Sequence, residues 1–369
     1  MRVLVINSGS SSVKYQLIES ATGDRVASGI VEEVSDHQVA LERVVGEIAS
    51  LHDGGAVDAI GHRIVHGGEV FSEPTVITDD VVRVVRELVA LAPLHNPANL
   101  AGVEAARRAW PDVPQVAVFD TAFHRTLPEH AYRYAVPAAW YTDHGVRRYG
   151  FHGTSHDFVS SKAADLLGRP RSELDLIVAH LGNGASMAAI ASGRCIDTSM
   201  GLSPLEGLVM GTRSGDVDPA IITHVAGASG RSEAGVVDDL NRSSGLLGLC
   251  GASDMRSVEA RAAAGDAAAE LALDVFCYRI VKYVGGYVAA LGRCDALVFT
   301  AGIGEHSPRV RAQVCDRLAV FGIELDPDRN ARSQNVITTD GSPTAVLVVP
   351  TDEEHAIAQH TAAALAADD

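Results

Sequence analysis

At 369 residues the chain is too long for one ordinary core and fits two domains. Hydrophobic residues at 47% and charged residues at 21% suit a globular protein, while the formal net charge of -17 argues against nucleic acid or an anionic membrane as partner, since both need basic surfaces. Five cysteines without a CxxC pair read as reduced thiols rather than a disulfide frame or structural zinc, and an apolar N-terminal run that stops after Ile6 is too short for a signal peptide, so a soluble cytoplasmic protein is expected.

Residues 2–7, 11–19 and 25–33 predict three strands, the first almost wholly apolar and therefore central. The first two are joined by Asn7-Ser-Gly-Ser-Ser-Ser-Val-Lys14, which is not a Walker A loop because GxxxxGK[ST] is absent. It admits two readings: a Ser-rich hairpin turn, or a cradle whose backbone N–H groups, hydroxyls and Lys14 face phosphate oxygens. A strand over 57–65 carries Gly61-His-Arg-Ile-Val-His-Gly-Gly-Glu69. Arg63 on that apolar strand needs a structural ion pair or an anionic ligand, and the adjacent glycines favour a site that grips a carboxylate or phosphate. A helix is predicted over about 79–92, stopped by Pro93, and a short buried strand over 115–119 ends on Asp120.

In Arg148-Tyr-Gly-Phe-His-Gly-Thr-Ser-His-Asp157, the spacing of Thr154 and Asp157 predicts a helix start. His152 then stands just ahead of free N–H groups that attract anions, where a loop histidine is either structural or a donor to a transferred phosphoryl group. Strands near 175–180, 184–191 and 194–199 repeat the opening pattern, with His180-Leu-Gly-Asn-Gly184 as a second glycine turn. Two related domains facing one polyphosphate are therefore expected, with a boundary near 125. Asp218-Pro219 opens a further helix, and Arg213 lies in the glycine-containing loop before it. The helical stretch 266–292 contains Gly285-Gly286, where a kink or a close helix contact is expected. A strand over 296–300 leaves through Gly302 and Gly304 toward a helix opened by Ser307-Pro308, a suitable place for a nucleotide. The last helix, 352–366, has Thr351 and Glu354 at capping-box spacing; Glu353 is left over and, with Asn7 and Asp120, offers the hard oxygens that Mg²⁺ prefers.

Five strings stand in this order: Asn7 to Lys14, Gly61 to Glu69, Phe119-Asp-Thr-Ala-Phe-His124, Tyr149-Gly-Phe-His-Gly-Thr-Ser-His156 and Pro204-Leu-Glu-Gly-Leu-Val-Met-Gly-Thr-Arg213. Together they resemble the acetate kinase family of short-chain acyl kinases, within the acetate and sugar kinase, heat-shock ATPase and actin superfamily, over nearly the whole chain. The resemblance implies an α/β fold of two ribonuclease H-like (actin-like ATPase) domains, with a duplicated βββαβαβα core and a central active-site cleft. The domains would be residues 1–124 with 355–369, the last helix returning, and residues 125–354. It implies Mg²⁺-dependent, reversible phosphoryl transfer between ATP and acetate, with Mn²⁺ able to substitute, in a homodimer whose other partners are small molecules.

By the same resemblance Asn7 and Glu353 would hold the metal, and Asp120, His152 and Arg213 would be catalytic. Arg63, Val65, Leu94 and Pro204 would bind the acyl substrate. The nucleotide would fall to Lys14, to His180, Leu181, Gly182, Asn183 and Gly184, to Asp254, Met255 and Arg256, and to Gly302, Ile303, Gly304, Glu305 and His306. Three positions depart from the family pattern: His306 and Asp352 stand where Asn is usual, and Ala98 where a second Pro is usual. Acetate and propionate differ by one methylene, worth about 1–3 kcal/mol in an apolar pocket, so a propionate or other short-chain acyl kinase is the alternative. A non-catalytic nucleotide switch of the same fold, such as a chaperone ATPase or an actin-like filament protein, has no use for Arg63, His152 and Arg213 together.

Overall fold

The computed structural model describes residues 1–9, 12–32, 37–50, 56–93 and 95–368. Ser10 and Ser11 of the first glycine turn, and Leu94 of the expected acyl pocket, lie outside the described residues. Contacts divide the chain into two compact units: Met1–Arg125 with Phe151–Phe158 and Asp352–Asp369, and Thr126–Gly150 with Val159–Thr351.

In the first unit, β1 (Arg2–Ser8), β2 (Ser12–Glu19) and β3 (Arg25–Glu32) form an antiparallel meander. Strands β4 (Ala59–Ile64) and β6 (Gln115–Phe119) continue the sheet in parallel, and the short β5 (Thr75–Val76) closes its edge, giving the order 3-2-1-4-6-5. Both faces of β1 are covered, which is why it is apolar at alternate and intervening positions alike. Leu4 and Ile6 pack on α1 (His37–Ala49) and α3 (Asn96–Ala109), whereas Val3 and Val5 pack on Ile357 and Ala358 of the last helix, α15 (Glu353–Asp368). The helix predicted over 79–92 is shorter: α2 (Asp79–Glu87) is capped by the Thr78 hydroxyl and gives way to a 3₁₀ turn at Leu88–Ala90. The start of α15 is also made differently. Asp352 accepts from the His355 N–H at 3.0 Å, while the Thr351 N–H donates to Glu305 at 3.1 Å.

In the second unit, β7 (Asp175–Leu181), β8 (Ala185–Ala191) and β9 (Arg194–Thr198) form a second antiparallel meander. Strands β10 (Ala296–Thr300) and β11 (Ala345–Val348) add in parallel beside β7, giving the order 11-10-7-8-9. Taken from the third strand, both sheets follow one plan: three antiparallel strands, the first of them extended by two parallel strands. This is the duplicated ribonuclease H-like core, and the fold is α/β with two such domains. Every residue of β7 is buried, as a central strand covered on both faces requires.

The helices of this unit follow in order, with α6 (Gly153–Leu167) starting in the segment that belongs to the first unit. Before it come α4 (Glu129–Tyr132) and α5 (Ala138–His144); after it come α7 (Ala220–Ser229), α8 (Glu233–Arg242), α9 (Gly245–Cys250) and α10 (Met255–Ala263). The long α11 (Ala267–Leu291) runs unbroken through Gly285-Gly286, and only the Phe321 ring comes to van der Waals distance of a Cβ placed at either glycine. α12 (Ala301–His306) begins directly after β10, so the two glycines expected in a loop are helical. α13 (Pro308–Asp316) is capped by the Ser307 hydroxyl, and α14 (Pro327–Ala331) follows.

Candidate active site

Arg63 leaves β4 beside Asp120, which stands immediately after β6, because the parallel register sets Arg63 against Val118. Its Nε donates to Asp120 Oδ1 at 3.0 Å and its Nη2 to Oδ2 at 2.7 Å. Glu353, the first residue of α15, brings a second carboxylate to 3.8 Å from Nε. Burial pulls the Arg63 pKa down, but Asp120 and Glu353 outweigh it and hold the guanidinium firmly charged. Burial raises the Glu353 pKa above the usual carboxylate range; Arg63 and Lys14 oppose that, and Asp120 adds to it.

Asn7 and Lys14 face each other across the β1–β2 ladder, so their side chains leave the same face of the sheet. Among the described residues the Asn7 amide and the Glu353 carboxylate make no hydrogen bond, and the exposed Lys14 makes no ion pair. Their oxygens therefore have lone pairs to give to a hard cation, and Asn7 and Glu353 fit Mg²⁺ in donor type. No group of three His, Cys, Asp or Glu side chains among the described residues could hold a metal by itself. Such a pair suits an ion that keeps several waters and takes substrate phosphate oxygens.

His152 has φ of 58°, a left-handed conformation that a non-glycine residue adopts only when its surroundings over-determine it. Those surroundings are visible. The Gly153 N–H donates to the Asp120 carbonyl at 2.9 Å, and the His152 carbonyl accepts from the His156 N–H as α6 begins. A Cβ at Gly153 would overlap that Asp120 carbonyl, so only glycine permits this approach.

Two residues essential to this geometry escape a reading by residue type. Buried Asn96 and Asn99 open α3 and hold the loop after β4. Asn99 accepts from the Val65 N–H at 3.1 Å and donates to the Ser8 carbonyl at 2.8 Å; Asn96 accepts from the His66 N–H and donates to its carbonyl. The available signal was His95-Asn-Pro97, a polar residue before a helix-opening proline in an otherwise apolar segment. Val65 itself is half-buried.

In the second unit the turn after β7 is drawn tight by Gly182 N–H to Gly184 O at 3.1 Å, and the Gly211 N–H donates to the Asn183 carbonyl at 2.9 Å. The Asn183 side chain stays exposed, whereas the Leu181 side chain is buried in the sheet and could offer a ligand only its backbone. His180 lies between β8 and β10, opposite Ser186 and Thr300. Asp254, Met255 and Arg256 meet Gly302, Ile303 and His306 around a cavity of about 270 Å³, completed by Glu259 and Ser307. Gly304 and Glu305 do not line it. Their carbonyls accept from the buried Arg311 guanidinium at 2.8 and 2.9 Å. Asp254 caps α10 by accepting from the Ser257 N–H.

Arg213 is half-buried and donates through Nη1 to the Pro204 carbonyl at 2.6 Å. Among the described residues no carboxylate pairs with it, and burial lowers its pKa. A desolvated guanidinium held by a neutral carbonyl is a site for an anion. The first unit thus offers a carboxylate-held cation with hard oxygens, and the second, among the described residues, a cation without a carboxylate partner and a cavity of about 270 Å³.

The family model described as the Acetokinase family matches residues 2–50 and 32–359. An acetate kinase of Arthrobacter sp. (strain FB24) is 54% identical over 98% of both chains. The crystal structure of Porphyromonas gingivalis acetate kinase superposes with a TM-score of 0.94 at 44% identity, covering 99% of both chains. A structure described as a propionate kinase from Francisella tularensis subsp. tularensis SCHU S4 also superposes with a TM-score of 0.94, at 40% identity, covering 98% of this chain and 99% of that one. By its sequence over nearly its full length, and by a backbone that follows that of a solved acetate kinase, this chain belongs to the acetokinase family.

Proposed function

We propose that the protein transfers the γ-phosphoryl group of ATP reversibly to acetate, giving acetyl phosphate and ADP. It is a phosphotransferase with a carboxyl group as acceptor. The observation that carries the reading is Arg213, a half-buried guanidinium with no carboxylate partner among the described residues, in a chain of the acetokinase family.

Acetate is already ionised at neutral pH, since a carboxylic acid titrates at about 4–5, so the nucleophile needs no general base. The obstacle is repulsion between two anions. In this reading Arg213 and His152 neutralise the transferred phosphoryl group, and Arg63 grips the acyl carboxylate with the Nη1 that Asp120 leaves available. Asp120 acts by orienting Arg63, not by accepting a proton. By the family resemblance Val65, Leu94 and Pro204 would take the methyl end of the substrate. Lys14 faces the nucleotide phosphates, the turn from His180 to Gly184 offers backbone N–H groups, and the cavity between Met255 and Ile303 takes the nucleoside. Asn7 and Glu353 would hold Mg²⁺, or Mn²⁺ in its place, which when bound supplies charge neutralisation on the phosphates.

Hydroxamate formation from acetate, propionate and butyrate with ATP tests the proposal, with the highest kcat/KM expected for acetate. A clear preference for propionate would transfer the assignment to the alternative acyl kinase, and no product from any acid would overturn it.

We further place the enzyme in the cytoplasm as a homodimer, feeding acetyl phosphate toward acetyl-CoA. The five cysteines form no disulfide among the described residues, and no helix among those residues is long and apolar enough to cross a membrane. α7, Ala-Ile-Ile-Thr-His-Val-Ala-Gly-Ala-Ser, is mostly apolar yet has no buried residue, which favours cover by a second copy. Ile221→Asp should then halve the native mass in solution; an unchanged dimer would remove α7 from the interface.

A further inference from the structure

The loop that carries Pro204 and Arg213 rests on three polar side chains that the reading above leaves without a role. Arg148 donates through Nη1 to three successive carbonyls at the end of β9, those of Thr198, Ser199 and Met200, at 3.0, 3.1 and 3.3 Å. Its Nη2 donates to Glu206 Oε1 at 2.7 Å. The Tyr134 hydroxyl accepts from the Leu202 N–H at 3.0 Å and donates to the other Glu206 oxygen. Glu206 and its two partners therefore tie residues 198–202 to residue 206, on both sides of Pro204. The packing is tight enough that a Cβ at Gly201 would overlap both the Glu206 carboxylate and the Tyr134 hydroxyl.

A partly exposed ion pair of this kind contributes little net stability, so stability alone is a weak reason for it. What charge-assisted bonds supply is direction. Here they orient the Pro204 carbonyl, and that carbonyl is the hydrogen-bond acceptor for Arg213.

We propose that Tyr134, Arg148 and Glu206 are positioning residues that fix the Pro204 carbonyl and, through it, the guanidinium of Arg213. The proposal rests on Arg213 being the group that neutralises the transferred phosphoryl. It predicts that Glu206 acts on turnover only while Arg213 is present.

The experiment is a cycle of E206Q, Y134F, R213A and E206Q/R213A in the full chain, with kcat, KM for ATP and acetate, and thermal midpoints measured for each. E206Q should lower kcat on the order of 10- to 100-fold, the scale of a misplaced catalytic group, with KM for ATP unchanged. Y134F, which keeps the ring and removes one oxygen, should move kcat in the same direction and carries the test if E206Q does not fold. In the R213A background, E206Q should cost nothing further. Full kcat in both E206Q and Y134F, or an undiminished E206Q loss in R213A, overturns the triad while a large loss in R213A alone leaves the parent reading standing. Near-normal kcat in R213A overturns both.

Discussion

Arg63 and Asp120 meet side-on: Nε and Nη2 both donate to the carboxylate, at 3.0 and 2.7 Å, and Nη1 is left without a partner among the described residues. The pair spans 57 residues of sequence and is made by the β4–β6 register. An arginine paired in this way has one remaining edge and a fixed orientation, which is what gripping a small carboxylate requires.

Asp120→Asn should therefore misorient Arg63 and leave it to Glu353. Turnover is expected to fall on the order of 10²-fold, with more Mg²⁺ needed for half-maximal rate, because Glu353 is then drawn to the cation. A shifted pH profile with unchanged kcat and Mg²⁺ dependence would count against this orienting role.

Gly302 lines the 270 Å³ cavity, and a Cβ placed on it would have no neighbour within 4 Å, so the fold can accept a larger side chain there. Gly302→Leu should raise KM for ATP by about tenfold or more, the cost of filling a complementary site, and leave KM for acetate and the thermal midpoint unchanged. Equal changes in both KM values would show that the cavity is not the nucleoside site.

Gly153→Ala tests the start of α6. The added methyl meets the Asp120 carbonyl, a backbone atom that cannot swing away. A loss of about 1–3 kcal/mol in urea unfolding is expected, together with reduced turnover as His152 shifts. Wild-type stability and rate would mean that the two segments separate at no cost.

Three buried imidazoles make stability depend on pH. Burial lowers His62, His66 and His124 to about 4 each; in His62 the bond to Gln115 opposes the shift without reversing it. Folded values below the unfolded value of about 6.5 mean that the unfolded chain binds more protons between pH 6.5 and 4. Stability is then complete above the unfolded pKa and is lost as pH falls toward the folded one, by about 2 kcal/mol per histidine at pH 5. Urea midpoints at pH 7, 6 and 5 should drop accordingly, and His62→Gln should make the slope shallower by about one proton. A flat profile over that range would show that the rings take up protons in the fold as readily as in the unfolded chain.

Much of the architecture was legible in local pattern. The apolar run of β1, the glycine turn after β7 and the Ser307-Pro308 cap are decided within a few residues, by side-chain alternation and by local hydrogen bonds. Where local signals competed, they misled. Thr351 and Glu354 have the spacing of a capping box, yet Asp352 makes the cap and Thr351 turns its N–H to Glu305. Gly285-Gly286 has the composition of a break in α11, but a helix packed along its length keeps its ladder through two glycines.

The sequence by itself singled out Arg63, Asp120, His152, Arg213 and Glu353 as candidates, because charges in loops between apolar strands need a partner or a ligand. It could not say which arginine is compensated. Strand order decided that Arg63 sits beside two carboxylates, whereas among the described residues Arg213 is held by the Pro204 carbonyl and pairs with no carboxylate. The physical reason is range. Periodicity and capping act over a turn or two of chain, whereas the availability of a charge depends on every group that folding brings within a few ångströms of it.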